Sequence, residues 1–318
     1  MAGSAGYAKG LHDLGDGCYA WLQPDGSWGW SNAGLVVDGD QSLLVDTLFD
    51  LPLTREMLAA MRDATPAAAH IDVLVNTHAN GDHCFGNELV EGAAIVASRA
   101  CADEMGALPP SALAALIENA DSLGEAGAFF REIFGGFEFD GITLTPPTET
   151  FEGRASRQVG DKQVALIEVG PAHTRGDVLV HVPVDGVVFT GDILFIEGHP
   201  IIWEGPIGNW VRACDEILAM QARTIVPGHG PLTDDDGVRA LRDYLVTLEA
   251  EARRRYDAGL PLREAMRDIT LEDYAAWGDA ERIAVNVATL YREFGDPAPA
   301  PGPLELFAWM AELKRDRR

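Results

Sequence analysis

Thr77-His78-Ala79-Asn80-Gly81-Asp82-His83 follows, after Asn76, the apolar run Ile71-Asp72-Val73-Leu74-Val75. An apolar run of this length reads as a buried strand. The polar cluster then sits in a loop at the strand tip. His78, Asp82 and His83 place two imidazoles and a carboxylate within six residues. Neutral imidazole and ionised carboxylate suit zinc and similar divalent ions. The bland alternative is a surface loop that holds two His by chance.

Three later segments repeat the pattern. Gly170-Pro171-Ala172-His173 follows Val164-Ala165-Leu166-Ile167. Phe189-Thr190-Gly191-Asp192 follows Val187-Val188, and Pro227-Gly228-His229-Gly230 follows Thr224-Ile225-Val226. Each is a short β-rich run ending in a Gly-containing turn that carries a candidate ligand. Ligands at the ends of different strands can converge on one sheet edge.

In order, spacing and flanking glycines the clusters resemble the metallo-β-lactamase superfamily over roughly residues 15 to 235. That family carries His-x-His-x-Asp-His, a separate His, a bridging Asp and a final His. The early runs Asn32–Val37 and Ser42–Thr47 resemble its first hairpin, with Asp46 at the usual acidic position. The resemblance implies an α/β fold, an αββα sandwich with added C-terminal helices. It implies a first metal site at His78, residue 80 and His173. A second lies at Asp82, His83 and His229, with Asp192 bridging. Asn80 departs from the pattern, because most members have His there, and an amide oxygen is a weaker ligand. Three loadings are open: two metals with Asn80 as a weak ligand, one metal in the second site, or a first-site metal with an added water. Two Zn2+ ions are the expectation. Zinc lowers the pKa of its water from 15.7 to about 7, and Asp82 is the candidate catalytic carboxylate that handles the proton. Asp46 is a candidate hydrogen-bond acceptor for a ligating His, or simply a turn carboxylate.

Composition limits the use of such a site. At 318 residues, 47% hydrophobic and 23% charged, the chain is ordinary for a globular protein. The organisation read from it is a catalytic domain over residues 1–235 and a C-terminal helical extension over 236–318. The net charge of −26 disfavours nucleic acid, whose phosphates need Lys and Arg, and anionic membrane surfaces. No apolar run approaches the ~20 residues of a membrane span. Met1–Tyr7 lacks a basic flank followed by a long apolar stretch, so no secretory signal and a cytoplasmic location are expected. Cys18, Cys84, Cys101 and Cys214 show no Cys-x-x-Cys spacing and read as reduced packing residues.

Helices are expected over Leu53–Ala64, across 100–137 with a break at Leu108-Pro109-Pro110, and over 209–221. Strands are expected at 71–76, Ile95–Ala97, Ile142–Leu144, 164–169, 178–182 and 187–190. Apolar residues at helical spacing predict further helices beyond 235, serving as core packing, as a cap over the site or as a homodimer surface. Trp203 and Trp210, with Asn209, are candidate substrate-binding residues for a large aromatic or acyl group. Packing at a helix start is the bland alternative for both Trp, and a capping role for Asn209.

His-Ala-Asn-Gly-Asp-His-Cys-Phe-Gly-Asn at 78–87 and Trp-Glu-Gly-Pro-x-x-Asn-Trp at 203–210 resemble a bacterial subgroup with cyclase/thioesterases of aromatic polyketide biosynthesis, of the actinorhodin type. That resemblance implies a small-molecule or carrier-tethered acyl substrate. The basic run Arg253-Arg254-Arg255 could meet an acidic carrier or be a solvated helix face. A general acyl-thioester hydrolase of the hydroxyacylglutathione-hydrolase kind and a lactonase fit the same ligands. A non-catalytic scaffold is the alternative of another class.

Overall fold

The computed structural model describes residues 7–316; Met1–Gly6, most of the stretch read for a secretory signal, lie outside them. In chain order the elements are β1 (Gly10–Gly15), β2 (Cys18–Leu22), β3 (Ala33–Asp38), β4 (Gln41–Val45), α1 (Leu51–Ala64), β5 (Val73–Val75), α2 (Gly81–Cys84), β6 (Ala94–Ser98), α3 (Arg99–Glu104), α4 (Pro110–Glu118), α5 (Gly124–Phe134) and β7 (Glu149–Phe151). There follow β8 (Arg154–Val159), β9 (Lys162–Glu168), β10 (Val178–Val182), β11 (Val187–Phe189), α6 (Ile207–Met220), β12 (Thr224–Val226), α7 (Asp235–Asp257), α8 (Leu262–Asp268), α9 (Ile283–Glu293) and α10 (Pro303–Asp316).

The strands form two sheets. One has the order β1-β2-β3-β4-β5-β6-β7 and the other β12-β11-β10-β9-β8. Strands β1 to β4 pair antiparallel, whereas β4, β5, β6 and β7 run parallel. In the second sheet only β11 and β12 are parallel.

Period-2 alternation builds the layers. Val36 of β3, with Leu43, Val45, Val75 and Val96, faces Val164, Leu166, Val178, Val180 and Phe189 of the other sheet. The neighbours Leu35 and Val37 point the other way, onto Met57, Leu58 and Met61 of α1. Leu179, between Val178 and Val180, likewise faces outward to the cluster that holds Trp210, Cys214 and Ile217 of α6. The result is helix, sheet, sheet, helix, as expected. Gly34 lets the Phe189 ring of the other sheet approach closely, since a Cβ there would run into it.

Helix α7 begins at Asp235, and at its N-cap the Asp234 side chain accepts from Asp236 N. Helices α7 to α10 join the same hydrophobic cluster as α5 and α6, from Phe129 and Trp210 to Leu245, Leu290 and Met310. Ile142–Leu144 forms no strand; Thr143 N is instead taken by Glu88 Oε1. Among the described residues no helix is long and apolar enough to cross a membrane. All four cysteines are free and buried.

Candidate metal centre

Five elements deliver the polar residues to one edge, because each candidate lies just past a strand's C-terminal end. Strand β5 runs into the loop and short helix α2 that hold His78, Asn80, Asp82 and His83. Strand β9 leads to His173, β11 to Asp192 and β12 to His229, while β4 ends next to Asp46. Buried amides pin this loop: Asn76 Nδ2 donates to His83 O at 3.0 Å, and Asn87 Nδ2 donates to Asn76 Oδ1 at 2.8 Å.

Asp192 sits at the centre. Its carboxylate lies 3.0 Å from His83 Nε2, 3.3 Å from His173 Nε2, 3.4 Å from His229 Nε2 and 3.7 Å from His78 Nε2. Asp82 Oδ2 stands 3.3 Å from His229 Nε2 and 3.9 Å from His83 Nε2. Asn80 Nδ2 is 2.9 Å from His173 Nε2, which places the amide in the half of the site formed with His78 and His173. Gly228 makes room for this packing, because a Cβ there would collide with Asp192 Oδ1.

Every imidazole has its Nδ1 engaged from behind. His83 Nδ1 donates to Asp46 Oδ2 at 2.9 Å, His173 Nδ1 to Ile201 O at 2.8 Å, and His229 Nδ1 to Gly26 O at 3.1 Å. Thr77 Oγ1 gives its proton to Asp46 Oδ2 at 2.7 Å and so accepts from His78 Nδ1 at 3.0 Å. A proton held at Nδ1 leaves Nε2 as the lone-pair nitrogen that faces the cluster; at His173 that nitrogen accepts from Asn80 Nδ2. Asp46 therefore orients His83 directly and His78 through Thr77. Its own backbone lies in the left-handed region, with φ of 62°, a conformation that costs free energy and concentrates at functional sites.

The donor set fits a divalent cation. His78 Nε2 is buried and has no hydrogen-bond partner, a costly state that ion coordination relieves, and His83 Nε2 and Asp192 Oδ1 have only each other, at 3.0 Å. Two groups, His78/His83/Asp192 and Asp82/His83/His229, each bring their ligand atoms within 4.8 Å of one another. Electrostatics agree. Burial opposes charge on His229 and His83, but Asp192 and Asp82 outweigh it. They push His229 up to about 9 and hold His83 well above the usual histidine range. Burial likewise opposes charge on Asp192, yet the surrounding imidazoles hold it well below the usual carboxylate range. Burial and the nearby His83 keep His78 well below its ordinary value. A cation takes the place of the protons that these carboxylates attract.

Above the cluster lies a cavity of about 470 Å3. Asn80, Asp82, His173, Asp192 and His229 line it together with Trp28, Phe49, Phe130, Phe134 and Trp203. Its outer wall comes from the C-terminal helices, through Pro303, Leu304 and Phe307 of α10, and from Arg282. These helices are thus both core packing and a wall of the site. Trp203 lines the cavity. Trp210 does not: it is fully buried, donates from Nε1 to Ile193 O at 2.8 Å, and sets its ring edge-on behind His173. Asn209 also points elsewhere, since its Nδ2 donates to Pro171 O at 3.1 Å. It lies inside the first turn of α6, whose N-cap is Pro206. Cys84 is turned away, with its thiol 3.6 Å from Ala79 O.

The aromatic lining from α5, with Arg282 and Phe307, was not anticipated. The signal present was Phe129-Phe130 and Phe134 on one helix. The carbonyls of Gly26 and Ile201 have no side-chain signature at all. The Arg253–Arg255 run is used internally. Arg255 is buried against Glu251 and Asp268, Arg254 pairs with Glu251, and Arg253 covers the Phe294 ring at 3.6 Å.

This four-layer sandwich, with imidazoles and carboxylates at its strand ends, has the metallo-beta-lactamase fold. Residues 26–229 match the metallo-beta-lactamase superfamily, and the chain belongs to that superfamily. Among its curated relatives, an acyl-coenzyme A thioesterase MBLAC2 of Bos taurus is 26% identical over 237 residues, covering 68% of this chain and 79% of its own. A hydroxyacylglutathione hydrolase of Maricaulis maris is 27% identical over 167 residues, 52% of this chain and 50% of its own. Among solved structures, a metallo-beta-lactamase from Pontibacter korlensis superposes with a TM-score of 0.55 at 20% identity, covering 75% of this chain and 99% of that one. The sec-alkylsulfatase Pisa1 from Pseudomonas sp. gives 0.65 at 16% identity, covering 92% of this chain and 52% of that one. At these identities the two structures show the fold alone.

Proposed function

We propose that the chain is a metal-dependent thioesterase for acyl groups with a large apolar or aromatic body. The observation that supports this most is the cavity itself, an aromatic chamber whose floor is the His/Asp cluster. Ligand pockets are mostly apolar with a few placed polar groups. The two curated relatives, a thioesterase and a hydroxyacylglutathione hydrolase, support the reaction class.

In this reading His78, Asn80 and His173 would hold one Zn2+, and Asp82, His83 and His229 a second, with Asp192 available to both. The ions, when bound, supply a strong nucleophile from water at neutral pH and polarise the carbonyl under attack. The protein's own part is positional. Trp28, Phe130, Phe134, Trp203 and Phe307 hold the acyl body and exclude bulk water. Asp82 Oδ2, which borders the cavity beside His229 Nε2, accepts and returns the proton. Burial raises the Asp82 pKa, but His83 and His229 more than offset it, so the carboxylate stays ionised.

A narrower reading is a polyketide cyclase/thioesterase that closes an aromatic ring before release. Trp203 on the cavity wall and the Trp-Glu-Gly-Pro-x-x-Asn-Trp segment favour it. The substrate is then a free or carrier-tethered polyketide thioester. The test is hydrolysis of N-acetylcysteamine thioesters, followed by release of free thiol. A naphthoyl or long acyl thioester should turn over at least about tenfold faster in kcat/KM than the acetyl thioester, since each buried methylene contributes about 0.8 kcal/mol. No hydrolysis of any thioester by zinc-loaded protein would overturn the proposal.

A further inference from the structure

The connector between β2 and β3, residues 23–32, meets one half of the metal centre from behind. Gly26 O accepts from His229 Nδ1 at 3.1 Å. Ser31 is fully buried and donates from Oγ to Asp82 O at 2.5 Å. His78 and His173 are backed elsewhere, by Thr77 and by Ile201 O. Among the described residues the connector's hydrogen bonds reach the segments of Asp82 and His229, and none reaches His78, Asn80 or His173.

Asn32 closes this connector onto the His229 turn. It is 3% exposed, and its amide carries two donors and an acceptor oxygen in one plane. Nδ2 donates to Pro227 O at 3.0 Å and to Gly230 O at 2.8 Å. Oδ1 accepts from Gln23 N at 3.2 Å, and the backbone N donates to Gly228 O at 2.7 Å. One residue therefore holds three carbonyls, on both sides of His229. The two turns also lie close together, since a Cβ on Gly26 would stand 2.7 Å from Gly230 N. On its outer side the connector is tied to the C-terminal segment. Ser27 Oγ donates to Asp279 Oδ1 at 2.7 Å, and Trp28 Nε1 to Glu281 Oε1 at 3.3 Å. Asn32 thus acts from a frame that is held at both faces.

We propose that Asn32 is a positioning residue, which fixes the 227–230 turn so that His229 Nε2 meets the metal ion beside Asp82. The role rests on the proposed ion at Asp82, His83 and His229, and not on the thioester. Without the amide, Pro227 O and Gly230 O lose buried donors, a costly state. The turn then shifts to find others and carries His229 with it. His78 and His173 keep their own supports, so the loss falls on one half of the centre.

The experiment is a zinc titration in competition with a chromogenic chelator, which uses no thioester. His229→Ala marks the binding step that belongs to this half. Asn32→Ala should weaken that same step by about tenfold, the lower end of outer-shell effects, and leave any other step within about twofold. Asn32→Ser, whose hydroxyl can serve one of the two carbonyls, should fall between alanine and wild type, and it replaces the alanine variant if that one does not fold. Ser31→Ala removes a bond to Asp82 O alone and should weaken the same step by less. A merely structural Asn32 would lower the melting temperature of the metal-free protein and shift all steps equally or none, and either result would overturn the inference. A step that His229→Ala removes and Asn32→Ala leaves intact overturns the role of Asn32 alone. A wild-type protein with no step that depends on His229 overturns the metal reading of this half and the role of Asn32 with it.

Discussion

Asp46→Asn is the substitution whose consequence follows most directly from the hydrogen bonds. Asp46 accepts from Thr77 N, Thr77 Oγ1 and His83 Nδ1. Asn tolerates the left-handed backbone that this position adopts. Its carbonyl can keep the Thr77 N bond, but the amide NH2 that replaces Oδ2 cannot accept. His83 Nδ1 then accepts instead, and the ring proton moves to Nε2, where it blocks the lone pair facing Asp192. Thr77 Oγ1 loses its acceptor too, so the support of His78 loosens. Outer-shell changes of this kind cost about 10- to 100-fold in metal affinity, or roughly 1.4–2.8 kcal/mol. Because Asp46 backs two imidazoles, the upper end is expected. The assay is competition for zinc against a chromogenic chelator, with the melting temperature of the metal-free protein as control. An Asp46→Asn protein that holds both ions as tightly as wild type would refute the orienting role. An equal loss of metal-free stability would point to a structural one.

Other substitutions probe the packing around the same centre. Gly228→Ala would push a methyl into Asp192 Oδ1 and should cost most of the bound metal while the far-ultraviolet circular dichroism stays native. Phe307→Ala removes a ring stacked on Phe130 at 4.1 Å. It should cost about 3–5 kcal/mol in denaturant unfolding and raise KM for large acyl thioesters more than for acetyl. Cys84→Ala should keep its full metal content by elemental analysis, because its thiol faces Ala79 O rather than the cluster. Removing metal with chelator should lower the melting temperature and restore it on zinc addition, since an ion that binds only the folded state stabilises it by mass action.

The site was more legible in the sequence than its pocket. His78, Asp82, His83, His173, Asp192 and His229 could be read because strand-end ligands follow apolar β runs and glycine turns, a local pattern. The structure brings all six together with Asn80. The α1 helix was legible because periodicity is a property of neighbours in the chain, and the β3–β4 hairpin through its resemblance to the family's first hairpin. The cavity wall was not. Trp28, Phe130, Phe307 and Arg282 come from four distant segments, and only tertiary packing joins them. The same limit explains the corrections. Trp210 and Asn209 sit close to the site in sequence, but the helical turn of α6 directs one into the core and the other towards Pro171. Ile142–Leu144 has a strand's composition, yet β6 pairs instead with Glu149–Phe151, since propensity does not choose the partner strand.

The most direct test is the metal content per chain, by elemental analysis of protein prepared without chelator or a nickel-affinity step. About two divalent ions per chain are expected, as in two-metal hydrolytic sites, with Asn80 completing the half formed by His78 and His173. A value near one would remove Asn80 from the ligand set and confine the chemistry to Asp82, His83, Asp192 and His229. A chain with no metal, and no uptake of added zinc, would contradict the account.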